Sequence, residues 1–426
     1  MQIDPNIVPK PSGSYRLLHT ADWHLGKLLN EQSRADEHVL FLDWLLKAVA
    51  QYEVDAIILA GDVFDSGNPP MSAVTQYFDF VSGLFSQGHC ALVVIAGNHD
   101  SAKQLEAPRN ALRALNVHVV GSVAADPEAR IVYLPNKELR KVAIAMVPFL
   151  RDGDLRFGRA GESADEIRAQ LVAGVRERYA EAAQALQDLK LGCPAIATGH
   201  LTVIGAVASD SERDIHIGGL GAVTADSFPD AFSYVALGHL HRPQAADGEG
   251  GRVRYAGSPI SLSFSECEDQ KEVRILDVLS DGIKQQTLAV PVFRRLCQIR
   301  TTVIGLEAAM KEFDPAHGAL PTWVEVVVEN ATLHDDLNER VQALAKERRF
   351  DVLKVRLGSS VRYAPMHTGE SSDDESIDAL LGDPRLVFEN ILSTHQQFDE
   401  KEVNAVKLCF AQILELVEQS EPAVIQ

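Results

Sequence analysis

Five short clusters of Asp, His and Asn each follow directly on an apolar run. Asp22-Trp23-His24 follows Arg16–Thr20, and Gly61-Asp62-Val63-Phe64-Asp65 follows Ala56–Ala60. Gly97-Asn98-His99-Asp100 follows Ala91–Ile95, Gly199-His200 follows Ala195–Thr198, and Gly238-His239-Leu240-His241 follows Tyr234–Leu237. Together they offer carboxylates, imidazoles and one amide, with no thiolate. Such an N/O donor set suits manganese, iron or zinc, and the Asn tilts it toward manganese. Seven donors (Asp22, His24, Asp62, Asn98, His200, His239, His241) are too many for one tetrahedral ion and about right for two ions sharing a carboxylate. We allot Asp22, His24, Asp62 and His241 to the first ion and Asp62, Asn98, His200 and His239 to the second. Asp62 then bridges, with the ions roughly 3.5–4 Å apart. A pair of this kind activates water near neutral pH and clamps the oxygens of an in-line phosphoryl displacement. His99 follows a ligand but points the other way, toward substrate, where it stabilises charge or protonates the leaving oxygen. Taken singly these motifs are weak. A lone DxH or HxH pair is more often structural, and Gly-Asn is strong turn chemistry. The weight lies in five of them at five strand ends.

The elements that must position these residues follow from periodicity. The five apolar runs read as strands of an α/β sheet, where ligands collect at the carboxyl ends. Alternate residues of extended chain face the same way, so Asp22 and His24 can address one ion, as can His239 and His241. The glycines at 61, 97, 199 and 238 remove Cβ bulk where the chain turns. Between the strands, Ser33–Gln51 opens with Ser33 and Asp36 in capping-box spacing. Ser163–Leu189 does so with Ser163 and Glu166, then repeats Ile167, Leu171, Val175 and Tyr179 at helical spacing. Met71, Val74, Phe78, Val81 and Phe85 form another helical stripe, read as core packing. The chain divides into a disordered extension at 1–14, an α/β domain at 15–290 and a small α+β unit at 291–365. An acidic linker at 366–380 and a helical segment at 381–426 complete it. In the α+β unit, Val324, Val326 and Val328 alternate with Glu325, Val327 and Glu329 as a strand. Leu333, Leu337, Val341 and Leu344 make a helix there, and Val352–Leu357 a further strand. The last segment holds two amphipathic helices, about 384–394 and 399–419, which need a partner protein or a fold-back to cover them.

Composition narrows the class. The 426 residues carry 40 Lys and Arg against 60 Asp and Glu, a net charge of −20. A uniformly basic nucleic-acid coat protein is excluded; an enzyme with a local basic groove is not. Residues 366–426 alone hold 3 basic and 13 acidic side chains, half of the excess. Arg294, Arg295, Arg300, Arg348, Arg349, Lys354 and Arg356 make the preceding unit the candidate for DNA-backbone contact, with a solvated face as the alternative. The five cysteines, odd in number and in no CxxC pair, favour a reducing cytoplasm over a disulfide framework. No run approaches the length of a membrane span, and Met1–Ser14 lacks a signal-peptide apolar segment.

The order DxH, GDxxD, GNHD, GH, GHxH resembles the calcineurin-like metallophosphoesterase superfamily. Three longer segments, Gly61–Pro70, Ser211–Gly218 and Tyr255–Glu266, are similar to its bacterial SbcD branch of nucleases. Asp383-Pro384 with Val387-Phe388 is similar to that branch's tail. The resemblance implies a four-layered αββα metallophosphoesterase domain with a small α+β capping domain and C-terminal helices. It implies a manganese-dependent nuclease: a 3′→5′ exonuclease on double-stranded DNA and an endonuclease on single strands and hairpins. It implies an SbcC-type ABC ATPase as partner, docked on the C-terminal helices, and a homodimer within a heterotetramer, formed through about 71–87 and 101–115. Archaeal and eukaryotic relatives carry histidine where this chain has Asp65, so no substrate-orienting role transfers to that residue. The competing readings are a phosphoesterase for nucleotides or small phosphodiesters, and a scaffold without metal.

Overall fold

The runs behind the five motifs are mostly apolar on both faces, which is what strands covered on both sides require. In the computed structural model those strands are fully buried. The structure describes residues 7–358, apart from 89, 124–125, 158–161, 189–191, 210–221, 249, 316–317, 330–336, 347 and 349. The acidic linker, the two C-terminal helices and the Ser211–Gly218 segment lie outside the described residues.

Along the chain, β1 (Tyr15–Thr20) leads into a small hairpin of β2 (Leu28–Leu29) and β3 (Gln32–Ser33). Then come α1 (Ala35–Gln51), β4 (Ala56–Ala60), α2 (Met71–Ser86), β5 (Ala91–Ile95), α3 (Ala102–Glu106), α4 (Arg109–Ala114) and β6 (Val117–Val120). The next stretch holds β7 (Ile131–Leu134), β8 (Val142–Ala145), α5 (Asp152–Leu155) and α6 (Ala164–Asp188). It continues through β9 (Ala195–His200), β10 (Tyr234–Gly238), β11 (Gln244–Ala245) and β12 (Val253–Tyr255). The antiparallel pair β13 (Glu272–Leu279) and β14 (Gly282–Ala289) returns to the first sheet. Last come β15 (Arg294–Thr302), α7 (Leu306–Glu312), β16 (Leu320–Glu329), α8 (Leu337–Ala345) and β17 (Phe350–Leu357).

Two six-stranded sheets result, ordered β14-β13-β1-β4-β5-β6 and β11-β12-β10-β9-β8-β7. β1, β4, β5 and β6 run parallel, as do β12, β10, β9 and β8. Successive residues of one strand serve different layers. Ile57 and Leu59 pack with Phe41, Leu45, Tyr77 and Phe80 of α1 and α2. Ile58 turns instead toward Ile144, Ile196 and Tyr234 of the second sheet. On the far side, Leu171, Val175 and Tyr179 of α6 cover Ala197, Val235 and Leu237. Helix, sheet, sheet and helix therefore stack as four layers with three cores between them. A third sheet, β15-β16-β17, stands separately.

Several local expectations change. The Ser163–Glu166 box forms, with Glu166 Oε2 accepting the Ser163 N–H at 2.8 Å and Ser163 Oγ the Glu166 N–H at 3.3 Å. The Ser33–Asp36 box does not form: α1 starts at Ala35, and Ser33 Oγ accepts the Ala35 N–H. Arg34 takes the cap position because its guanidinium is drawn into a buried pair with Glu37. In α2 the core face is Ala73, Tyr77, Phe80, Val81 and Leu84, while Met71, Phe78 and Phe85 of the expected core stripe are exposed. Residues 7–14 do not trail away as a disordered extension. Ile7 is buried, the Val8 N–H donates to Gln286, and Lys10 pairs with Asp55. In β16 residues Thr322–Val328 are buried on both faces, Glu325 included. Gln298 donates to the Glu325 carboxylate there, with Lys354 and Arg356 beside it.

Candidate metal centre

The carboxyl ends of β1, β4 and β5 in one sheet meet those of β9 and β10 in the other. Two contacts record the meeting. His200 Nδ1 lies 3.0 Å from the Ala60 carbonyl oxygen, and the His239 N–H donates to Asp22 Oδ1 at 2.8 Å. The chain does not deliver the ligands as extended strand. Asp22, His24, Asp62 and His239 have φ of 53°, 47°, 49° and 100°, the left-handed region. Each such residue costs of order 1 kcal/mol or more and persists only when its surroundings hold it. The alternation argument for Asp22/His24 and His239/His241 is thereby replaced: turns, not pleats, aim these side chains. Gly61, at φ 90°, and Gly97 make the approach possible. A Cβ on Gly97 would collide with Asp62 Oδ1 and its backbone nitrogen.

Asp62 occupies the middle. Its Oδ1 accepts the His99 N–H at 2.9 Å. Its Oδ2 lies 3.4 Å from both His24 Nε2 and His200 Nε2. Around it, donor atoms of Asp22, His24 and His241 gather within 4.8 Å of one another, and so do those of Asp22, Asp62 and His200. His200 Nε2 is 2.9 Å from Asn98 Oδ1, and the His239 and His200 ring centroids are 5.4 Å apart. All seven expected ligands thus converge, and all but the partly exposed Asn98 are buried. A third group, His24, Asp65 and His99, adjoins them.

The donor set fits cations. Asp22 Oδ2 and His24 Nε2 are buried without a hydrogen-bond partner, an arrangement that costs free energy unless an ion takes the lone pairs. A carbonyl can only accept, so His200 Nδ1 carries a proton toward Ala60 and Nε2 is left to face Asn98 Oδ1. Two acceptors 2.9 Å apart are reconciled by a cation between them, by a second proton on the ring or by a flipped Asn98 amide. The buried charges act strongly on one another. Burial lowers the His200 pKa, but Asp62 and Asp22 outweigh it and raise it to about 9. Burial raises Asp22 to about 7 against the pull of His200. Burial also acts on Asp62, where His200 and His24 win and hold its carboxyl well below the usual range. Burial and the nearby His200 keep His239 well below the ordinary histidine value.

His99 is nearly buried, and its Nδ1 lies 2.7 Å from the Asp65 carbonyl oxygen. That fixes the proton on Nδ1, and the ring lies edge-on to His24 at 4.8 Å.

Several supporting residues escaped the motif reading. Asp100 accepts three backbone N–H groups, from Val63 (3.2 Å), Phe64 (3.0 Å) and Gly97 (2.8 Å), and so staples the β4 and β5 loops together. Burial and the Asp62 charge raise its pKa to about 6. Its place at the end of GNHD was the available signal. Lys271 and Glu266 form a buried pair behind His241, and nothing in their spacing announced it. Of the basic residues assigned to DNA, Arg294 is taken: it pairs with Glu37 and stacks 3.9 Å over the Trp323 ring. Arg295, Arg300, Lys354 and Arg356 are more exposed than Arg294.

Residues 15–243 match the calcineurin-like phosphoesterase family. The chain is 37% identical over 390 residues to SbcD of the nuclease SbcCD from Escherichia coli (strain K12), covering 90% of this chain and 95% of that protein. SbcD of Rhodobacter capsulatus is 41% identical over 288 residues, 65% of this chain and 69% of the relative. SbcD of Bacillus subtilis is 36% identical over 262 residues, 62% and 66% of the two chains. Among the described residues no helix is long and apolar enough to cross a membrane.

Proposed function

The chain belongs to the calcineurin-like phosphoesterases and, among them, to the SbcD nucleases, and from that premise we propose a manganese-dependent DNA nuclease that works with an SbcC-type ATPase. The enzyme is a metal-dependent phosphodiesterase. The finer reading is 3′→5′ exonuclease action on duplex ends and endonuclease action on single strands and hairpins, in DNA end processing, repair and recombination. One observation carries the two-ion reading: Asp62 Oδ2 stands equally far, 3.4 Å, from an imidazole of each half-site. Asp22, His24, Asp62 and His241 would hold one ion, and Asp62, Asn98, His200 and His239 the other. Bound there, two divalent ions supply an activated water nucleophile and neutralise charge on the phosphoryl oxygens.

The protein's own residues do the rest. The buried walls exclude bulk water, which strengthens every charge interaction inside. With Nδ1–H donated to the Asp65 carbonyl at 2.7 Å, the His99 ring is oriented with Nε2 on its opposite edge. Protonated there, it would donate to the leaving oxygen, the catalytic role proposed for it. The reading assigns 15–290 to the nuclease domain, 291–365 to a cap over DNA, and 381–426, beyond the linker 366–380, to the ATPase. The exposed Met71, Phe78 and Phe85 of α2 suit a homodimer contact within a heterotetramer. Cys90, Cys193, Cys267 and Cys297 are free thiols, in keeping with a cytoplasmic protein.

The test is digestion of an end-labelled hairpin DNA by the full chain with manganese, with magnesium, or with chelator. Manganese-dependent shortening or loop opening is expected. Intact DNA beside rapid hydrolysis of a small chromogenic phosphodiester would move the function to small substrates.

A further inference from the structure

The segment Tyr255–Glu266 supplies no ligand, yet it brings a carboxylate to the back of one. Glu266 is fully buried, with Oε1 3.6 Å from His241 Nδ1. That separation is electrostatic contact, longer than a hydrogen bond. Glu266 is itself held from every side. Lys271 Nζ donates to Oε2 at 2.6 Å, and also to the His241 carbonyl at 2.9 Å and to Ser258 Oγ at 3.0 Å. The Leu262 N–H donates to Oε2 at 3.1 Å, and the Ser209 and Ser263 hydroxyls to Oε1 at 3.2 and 3.3 Å.

The other imidazole allotted to the first ion is backed in the same way. His24 Nδ1 lies 3.1 Å from Asp65 Oδ1, and Lys27 Nζ donates to that oxygen at 3.0 Å. Two unrelated stretches of chain therefore build the same triad of lysine, carboxylate and imidazole. His200 lacks one, since the Ala60 carbonyl serves its remote nitrogen. A carboxylate on the remote nitrogen of a ligating histidine fixes its tautomer and orientation and makes it a stronger donor.

We propose that Asp65 and Glu266 are positioning residues for the first ion, each holding its histidine with Nδ1–H inward and Nε2 toward the metal, while Lys27 and Lys271 hold the carboxylates. The proposal rests on the two-ion reading above. It gives Asp65 a role in this chain that involves His24 and not the substrate. The competing role for Glu266 is simply counter-ion to the buried Lys271.

Calorimetric titration of Mn2+ into the chelator-stripped full chain separates these. The unaltered protein is expected to take two ions. Asp65→Asn and Glu266→Gln should each weaken one of the two sites by roughly 10–100-fold and leave the other unchanged. The double variant Glu266→Gln/Lys271→Met removes both buried charges, so a counter-ion role predicts recovery. Positioning predicts that one site stays weak. Recovery in the double variant, or unaltered affinity at both sites in the single variants, overturns the proposal. If the Glu266 variants do not fold, Asp65→Asn decides, because that side chain is 24% exposed and its loss leaves no buried charge. Fewer than two ions in the unaltered protein would instead sink the two-ion reading itself.

Discussion

The two sheets bring their halves of the site together by different means. The first sheet supplies Asp22, His24, Asp62 and Asn98 from turns, three of them in left-handed backbone. Its loops are held above all by three backbone N–H groups that donate to the Asp100 carboxylate. The second sheet supplies His200, His239 and His241, and of these only His239 is left-handed. His241 is backed by side-chain charge, the buried Glu266–Lys271 pair. The first half thus adds left-handed backbone and a carboxylate staple to the placed charge of Lys27 and Asp65, while the second rests mainly on placed charge. Shape is unforgiving of loops that lose their staple. Placed charge tolerates neutral replacement better than the loss of one partner.

Four measurements sharpen or break this contrast. The largest effect is expected for His99→Leu, which should cut DNA cleavage by about 10²–10⁴-fold while both ions stay bound. Loss of metal together with activity would return His99 to the first sheet's scaffold. Next comes Asp100→Ala, which leaves three buried N–H groups unpaired and should cost about 3 kcal/mol or more. It should also impair metal binding; a melting temperature and metal content equal to the parent would end the claim that the Asp100 carboxylate holds this half together.

Third is a seam between the sheets. His19 on β1 reaches the second sheet through Tyr234 Oη at 3.0 Å and the Leu237 carbonyl at 3.2 Å. Burial lowers its pKa to about 3, and that of His38 likewise to about 3. Both groups fold neutral, so their stability is fully present above about pH 6.5 and declines as pH falls toward 3. Each contributes a loss of at most roughly 2 kcal/mol by pH 5. Urea unfolding at pH 7.5 and pH 5 should show the decline, and His19→Asn should remove about half of it, His38 keeping the rest. A flat profile in the parent chain would contradict the buried-neutral account. The smallest effect is Ser258→Ala, which removes one hydroxyl from the Lys271 network and should cost about 1 kcal/mol in thermal unfolding. A cost above that of Asp100→Ala would reverse the ranking of the two halves.

The candidate donor cluster was legible because its members stand at the ends of buried, mostly apolar strands. The two capping boxes show where such legibility stops. Ser163 and Glu166 sit in open solvent and obey the local rule. Ser33 loses it because Arg34 has stronger business with Glu37, beneath Arg294 and Trp323 from a distant part of the chain. The α2 stripe, a core face that can also serve a dimer contact, divides for a related reason: Val81 is buried while Met71, Phe78 and Phe85 are exposed, because helical period does not say where the sheet lies.

What the sequence alone determined was the chemistry: seven donors, their N/O character, the strand ends that carry them, and the family. The tertiary structure decided how they are aimed and what steadies them. Asp22 and Asp62 point inward through left-handed backbone that no residue pattern announces. The carboxylates behind His24 and His241 arrive from 41 residues away in one case and from a separate loop in the other. Local propensity acts over a few residues, whereas hydrogen bonds and buried charge are settled only when distant segments pack and exclude water.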